Sequence, residues 1–333
     1  MKKTIIIAEG GVNHNGKVSL AKKIITKAKE VGADYIKFQL YDADALSTSK
    51  ANKADYQKKF NKNETQKEML KKYQMSLNQM LDLRKFARKK KIKFMLSVFD
   101  NISVKNLEIF KLDYIKIPSG EIDNFPMLAE VTKINSNIII STGMSTVKEI
   151  KKTLHFLKKR IRNNKKIFVL HCNSSYPTPP EDVNIGVIDQ FKKIFGPNIG
   201  FSDHTIGPEA SILAVAKGAK IIEKHVTLDR KMDGPDHSSS LDFKQFKSFV
   251  SSIRKVEKFF SSQDKIITKS EKKNIQHVRK SIVAKEKIIK GEKFSLSKLT
   301  IKRPGSGLKP AYIFKLIKKK SKYNFKKDDL IRI

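Results

Sequence analysis

Two lysines, two histidines and one glutamate stand where their charge needs a reason. Lys37 lies within Tyr35-Ile-Lys-Phe-Gln-Leu40 and Lys116 within Tyr114-Ile-Lys-Ile117. A lysine inside so apolar a run either faces a solvated mouth or is buried at a cost that only a partner offsets. The hydroxyls of Ser97, Ser119, Ser141 and Ser202 lie at or just beyond the ends of similar runs. Two ammonium groups among such hydroxyls suit a small molecule with both a phosphate and a carboxylate. In the competing assignment one lysine snorkels to the surface and the other pairs with Glu121.

His204 and His225 close two successive runs. Neighbouring strands lie about 4.8 Å apart, so two imidazoles can reach one cation. Two histidines with open positions suit Mn²⁺ or Mg²⁺ as a Lewis acid better than a closed zinc site. The one cysteine, Cys172, argues against a thiolate site. Glu9 ends the first run; beside a metal and lysines it can serve as a general base or place a water, or form a structural ion pair. Gln39, Glu121, Asn173, Ser174 and Tyr176 complete the polar residues at run ends. His237, in Gly234-Pro-Asp-His237, faces either substrate or its own loop.

These residues converge only if the runs are parallel strands with all their ends on one face. The runs are Thr4–Ala8, Tyr35–Leu40, Lys93–Phe99, Tyr114–Ile117, Asn137–Ser141, Ile167–His171, Ile199–Ser202 and Ile221–Val226. Between the first two, Leu20, Ile24, Ile25, Ala28 and Val31 recur at helical spacing, and Gly32-Ala33 ends that helix. Strands that are apolar throughout belong to a sheet buried on both faces. Eight such units in about 250 residues predict an α/β chain with a (β/α)₈ TIM barrel over residues 1–262. An open doubly wound sheet is the alternative, but Gly10-Gly-Val-Asn-His-Asn-Gly16 lacks the spacing of a dinucleotide loop. Residues 263–279 read as a polar linker with some helix. From residue 280 to 333, short strands and turns around Ser281-Ile-Val-Ala284 and Leu299-Thr-Ile-Lys302 predict a small β-rich domain.

Composition narrows the partners. The chain has 333 residues and a formal net charge of +37. That charge would suit nucleic acid, but it is mostly lysine scattered along the chain, without a zinc-finger, RNA-binding or basic-zipper pattern. It reads as a solvated surface whose field draws anionic substrates toward a cleft. No window of about 18 apolar residues occurs, so no membrane partner is expected. The opening Met1-Lys-Lys-Thr-Ile-Ile-Ile-Ala-Glu9 is too short and too soon charged for a signal peptide. A single cysteine fits a reducing cytoplasm.

Several strings resemble the sialic acid synthase family. They are Glu9-Gly-Gly-Val-Asn-His-Asn-Gly16, Ile115-Lys-Ile-Pro-Ser-Gly-Glu121, Ser141-Thr-Gly-Met144, Leu170-His-Cys-Asn-Ser-Ser-Tyr-Pro-Thr-Pro179, Ser202-Asp-His-Thr205, Glu223-Lys-His225 and Gly234-Pro-Asp-His237. Lys302-Arg-Pro-Gly305 is similar to the antifreeze-like (SAF) domain of that family. Within the family, Lys53-Ala-Asp-Tyr-Gln57 and Val278-Arg-Lys-Ser281 look closest to N,N'-diacetyllegionaminate synthases.

The resemblance implies condensation of phosphoenolpyruvate with an N-acetylated hexosamine. It implies that His204 and His225 bind the metal and that Lys37, Ser97, Lys116, Ser119, Ser141 and Ser202 line the phosphoenolpyruvate pocket. Glu9, Tyr176 and Asp236 would face the sugar or the attacking water. Arg303 would reach the N-acetyl group in a partner subunit, giving a domain-swapped homodimer. Two positions depart from the family pattern. Ser97-Val-Phe99 replaces Thr-Pro-Phe and keeps the hydroxyl. Asn173-Ser174 replaces Thr-Asn and loses an amide, which weakens the case for N-acetylmannosamine as substrate.

Overall fold

In the computed structural model, which describes residues 3–53, 64–161, 165–262 and 264–333, the first unit is a closed barrel. Its strands are β1 (Ile5–Gly11), β2 (Tyr35–Leu40), β3 (Lys93–Val98), β4 (Tyr114–Ile117), β5 (Asn137–Ser141), β6 (Ile167–Cys172), β7 (Ile199–Asp203) and β8 (Ile221–Thr227). Each pairs parallel with the next, and β1 closes on β8 with Ile5 opposite Ile221 and Glu9 opposite His225. A short β9 (Leu241–Asp242) adds to β8. The strands match the apolar runs to within three residues at either end. The main difference is at β1, which runs past Glu9 to Gly11 through a shift of register against β2. Gly11 has φ +49°, a conformation that costs little only without a side chain.

Period-two alternation sorts every strand. Ile6, Ala8, Ile36, Phe38, Leu96, Val98, Ile115 and Ile117 point outward and pack against the helices. Ile7, Tyr35, Met95, Ile139, Phe168, Leu170 and Ile221 point inward and plug the lower barrel. On five of these strands the next inward position up is polar, while on β6 it is Cys172. Glu9 follows Ile7, Lys37 follows Tyr35, Ser97 follows Met95, Ser141 follows Ile139, and Glu223 then His225 follow Ile221. An apolar plug thus carries a charged layer, open at the carboxyl ends of the strands.

The helices wrap this core. Val18–Glu30 buries Ala21, Ile24, Ile25 and Ala28, and its end at Val31 precedes Gly32 at φ +87°. Capping boxes begin Leu77–Lys89 (Ser76 with Gln79), Val147–Arg160 (Thr146 with Glu149) and Phe243–Phe259 (Asp242 with Gln245). Among the described residues no helix is long and apolar enough to cross a membrane.

The chain divides into two compact units, Met1–Ser261 and Ser262–Ile333. In the second, helix Lys269–Val278 is followed by β10 (Ser281–Ala284), antiparallel to β11 (Leu299–Lys302). Ile282, Ala284, Ile288, Phe294, Leu299 and Phe325 form a separate core. The span read as a linker therefore contains a ten-residue helix, and its Gln263 lies outside the described residues.

Candidate active site

Strand register brings the charged layer together. Glu9 lies opposite Lys37, Ser97 opposite Lys116, and Ser202 opposite Glu223. Lys37 Nζ is 2.8 Å from Glu9 Oε2 and 3.7 Å from Glu223 Oε2, and donates to Ser97 Oγ at 2.5 Å. Lys116 Nζ donates to Glu223 Oε1 at 2.6 Å, as does Ser202 Oγ at 3.0 Å. All four charged groups are at most 4% exposed. In such surroundings an unpaired ammonium would shed its proton or unfold the barrel, so the pairing explains how two lysines are kept there. Lys116 takes Glu223, not Glu121, as its partner.

Charge and burial set the carboxylates apart. Burial pushes Glu9 up to about 7; Lys37 pulls it down and Glu223 pushes it further up. Burial acts on Glu223 in the same direction but is outweighed by Lys116 and Lys37, which hold it well below the usual carboxylate range. Burial, opposed mainly by Glu223 and Glu9, leaves Lys37 with a raised pKa. Two carboxylates in one layer are thus divided into one that stays ionised and one placed to exchange a proton near neutrality.

The histidines sit above this layer, their ring centroids 5.5 Å apart. His204 Nδ1 is 2.6 Å from the carbonyl oxygen of Asn173, so the nitrogen it could offer a cation is Nε2. Tyr176 stacks on His204 at 4.0 Å and meets His225 edge-on. Burial, then His204, then Lys37 press His225 well below the usual histidine range, so it is a neutral imidazole. Its Nδ1 is buried without a hydrogen-bond partner, and Asp236 Oδ2 lies 4.0 Å away. Among the described residues no three His, Cys, Asp or Glu side chains converge as a ligand set. Two imidazoles, one with an orphaned nitrogen, nevertheless fit a divalent ion whose other ligands are water and substrate oxygens.

These groups share one cavity of about 410 Å³, which Glu9, Lys37, Gln39, Ser97, Lys116, Ser119, Ser141, Ser174, Tyr176, Ser202, His204, Glu223, His225 and Asp236 line. Gly143 lets it form, because a Cβ there would strike Ser174 Oγ and lie 3.0 Å from Ser119 Oγ. Ser119 Oγ accepts the Gly143 amide, while Ser141 Oγ is buried without a partner. A larger hollow of about 950 Å³ opens at the opposite, amino-terminal end of the strands, lined by Tyr35, Lys93, Asp113 and Lys165. It lacks the converging buried charges, so the chemistry belongs to the smaller cavity.

Two sequence expectations change, for Glu121 and Asn173, and one open alternative, for His237, is decided. Glu121 does not line the cavity; it accepts a hydrogen bond from Asn124 at 2.7 Å, in the 3₁₀ turn after β4. Asn173 acts through its carbonyl on His204, while its side chain turns back to the Ser175 amide. His237 is a loop residue, fully buried and bonded to Thr227 and Asn15. Arg303 lies in the second unit, where its Nε donates to the Val278 carbonyl. Of the string Lys53–Gln57, residues 54–57 lie outside the described residues. The sequence reading gave no role to Glu223, although alternation places it inward, two residues below His225.

The profile of the NeuB family matches residues 24–265, and that of the SAF domain matches residues 279–333. The N,N'-diacetyllegionaminic acid synthase of Campylobacter jejuni is 44% identical over 333 residues, all of both chains. The enzyme of the same name from Legionella pneumophila is 38% identical over 94% of this chain and 88% of its own. The crystal structure of an N-acetylneuraminic acid synthetase from Leptospira borgpetersenii superposes with a TM-score of 0.72 at 31% identity, covering 82% of this chain and 90% of that one. The fold and site define a barrel synthase with an SAF domain. The chain belongs to the NeuB family, the phosphoenolpyruvate-dependent nonulosonic acid synthases.

Proposed function

We propose that this protein condenses phosphoenolpyruvate with 2,4-diacetamido-2,4,6-trideoxymannose and water, giving a legionaminic acid and phosphate. The observation that carries this reading is the buried layer of Lys37, Lys116 and serine hydroxyls beneath two imidazoles in one cavity. The 44% identity to a legionaminic acid synthase favours the trideoxy sugar. N-acetylmannosamine is the alternative acceptor, supported by the likeness to a sialic acid synthetase.

In this reading Lys37 and Lys116, with Ser97, Ser119, Ser141 and Ser202, hold the phosphate and carboxylate, and Gln39, Ser174, Tyr176 and Asp236 face the sugar. His204 and His225 would hold Mn²⁺ or Mg²⁺, which supplies Lewis-acid polarisation of the sugar aldehyde. The enol electron pair of phosphoenolpyruvate forms the carbon–carbon bond from C3 to the aldehyde carbon, whose oxygen takes a proton. Water adds at C2 and gives its proton to Glu9, whose raised pKa suits it to that exchange. The C2–O bond to phosphate then breaks, the C2 hydroxyl gives its remaining proton to the departing phosphate as the ketone forms, and Glu9 returns its proton, the one that the former aldehyde oxygen takes. The lysines position the anion rather than react with it. As part of the same proposal, two copies exchange SAF domains so that Arg303 of each reaches the sugar held by the other.

The test is phosphate release from phosphoenolpyruvate with Mn²⁺, offering each sugar with and without EDTA. EDTA-sensitive release with the trideoxy sugar supports the proposal. Release with N-acetylmannosamine alone moves the assignment to a sialate synthase, and none with either sugar rejects both.

A further inference from the structure

The cavity has a second wall of different chemistry, built by the chain after β2 and the loops after β1 and β3. Val12, Leu46, Met69, Leu70, Tyr73 and Phe99 line the same space as Lys37 and Lys116. They pack as one apolar cluster with Tyr41 and Ala43, apart from the barrel core. Helix Gln66–Tyr73 supplies Met69 and Tyr73, four residues apart and so on one face. Its start is fixed by a capping box from Thr65 to Glu68.

Several polar atoms beside this wall are engaged within the protein. The Tyr41 hydroxyl donates to the Leu70 carbonyl at 3.0 Å. Ser47 donates to Gln66 Oε1 at 2.9 Å, and Gln74 Oε1 accepts the Ala43 amide at 2.9 Å. Along the chain from Lys37, Gln39 and Tyr41 follow at alternate positions and also line the cavity. These positions lead from the charged layer to the apolar wall, so an acceptor with its aldehyde beside Glu9 and His225 would have that wall within the same cavity as its far carbons.

We infer that this wall determines acceptor specificity by taking a deoxygenated sugar end, a methyl at C6 in place of a hydroxymethyl. The inference rests on the synthase reading above and deepens it. A methyl there leaves water for apolar contact with Leu46, Met69 and Leu70, side chains that offer a hydroxyl no hydrogen bond. Apolar pockets discriminate such pairs by about 10- to 100-fold in kcat/KM.

The experiment uses the full chain with Mn²⁺ and saturating phosphoenolpyruvate. It compares kcat/KM for 2,4-diacetamido-2,4,6-trideoxymannose and its 6-hydroxy counterpart, with N-acetylmannosamine as a third acceptor. Wild type is expected to prefer the 6-deoxy sugar at least about 10-fold. Met69→Gln and Leu46→Gln are expected to narrow that ratio to about 3-fold or less, with KM for phosphoenolpyruvate unchanged. Leu46 is only half-buried, so its variant reads the wall even where Met69→Gln does not fold, as thermal melting will tell. Equal kcat/KM on the two sugars, preference for N-acetylmannosamine, or an unchanged ratio in a folded variant overturns the wall assignment and leaves the synthase reading standing. No phosphate release with any acceptor overturns the synthase reading itself, and this inference with it.

Discussion

Replacing Glu223 by Gln removes one negative charge from a layer in which two lysines face two carboxylates. Lys116 then loses the carboxylate at 2.6 Å, and Lys37 keeps only Glu9 at 2.8 Å. Both lysines are 4% exposed, so water does not take the place of the lost charge. Removing one partner of a buried pair costs about 3–5 kcal/mol. At about 2 °C per kcal/mol for a unit of this size, the melting temperature should fall by roughly 6–10 °C. Inorganic phosphate bound beside the lysines of the folded chain would supply the missing charge, so it should raise the melting temperature of the variant more than that of wild type. The double variant Lys116→Met/Glu223→Gln removes the pair together, and should recover more than half of the lost stability while releasing no phosphate from phosphoenolpyruvate. Differential scanning calorimetry with and without phosphate reads all three. A single variant melting within 2 °C of wild type, with no greater response to phosphate, would refute the argument that Glu223 balances the lysines.

Other outcomes follow from the same structure. EDTA should abolish phosphate release and Mn²⁺ or Mg²⁺ restore it, while titration calorimetry on His225→Ala should show at least about 10-fold weaker Mn²⁺ binding. Gly143→Ala drives a methyl into Ser174 and Ser119, and should raise KM for phosphoenolpyruvate about 10-fold or more in steady-state kinetics, the fold remaining intact by circular dichroism. Asp34 ties the start of β1 to the last barrel helix, accepting from the Ile6 amide at 2.9 Å and Arg254 at 2.6 Å. Burial would raise its pKa, but Lys3, the Ile6 amide and Arg254 together lower it. A depressed folded pKa contributes stability above the unfolded value near 3.9, lost as pH falls through the folded one. Asp34→Asn should therefore cost about 1–3 kcal/mol at pH 7 by urea unfolding, with the gap to wild type closing below about pH 4.

The barrel was legible because each strand is short, apolar and separated from the next by a helical stretch. Each run lies within three residues of an observed strand, and the errors gather at carboxyl ends. There Gly11, Cys172, Asp203 and Thr227 extend pairing into segments read as loop. The paired lysines were legible as well, because an ammonium between Ile36 and Phe38, or between Ile115 and Ile117, is anomalous in the sequence alone. Their partner was not. Glu223 is far from Lys116 in sequence, and only closure of the barrel brings the two to 2.6 Å. Glu121, five residues from Lys116, was the nearer candidate, but the turn after β4 points it at Asn124. The apolar wall also escaped notice, because Met69 and Tyr73 belong to a helix outside the eightfold repeat.

This pairing changes how the chain's positive charge bears on the site. A net charge of +37 suggests an enzyme that attracts anions by sheer excess. Within the buried layer the formal balance is even, Lys37 and Lys116 against Glu9 and Glu223, so an excess of positive charge there is not what would hold an anion. In the proposed reading retention there falls to Lys37 and Lys116 together with the hydroxyls beside them: the unpartnered Ser141, Ser97 on Lys37, and Ser202 on Glu223. Glu9 is the carboxylate whose charge can be given up, since burial already brings its pKa to about 7. An arriving trianion that displaces Lys37 from Glu9 leaves that carboxylate without its ion pair and better able to take a proton. The group proposed to receive the proton from water is thus the one that substrate binding itself makes more basic.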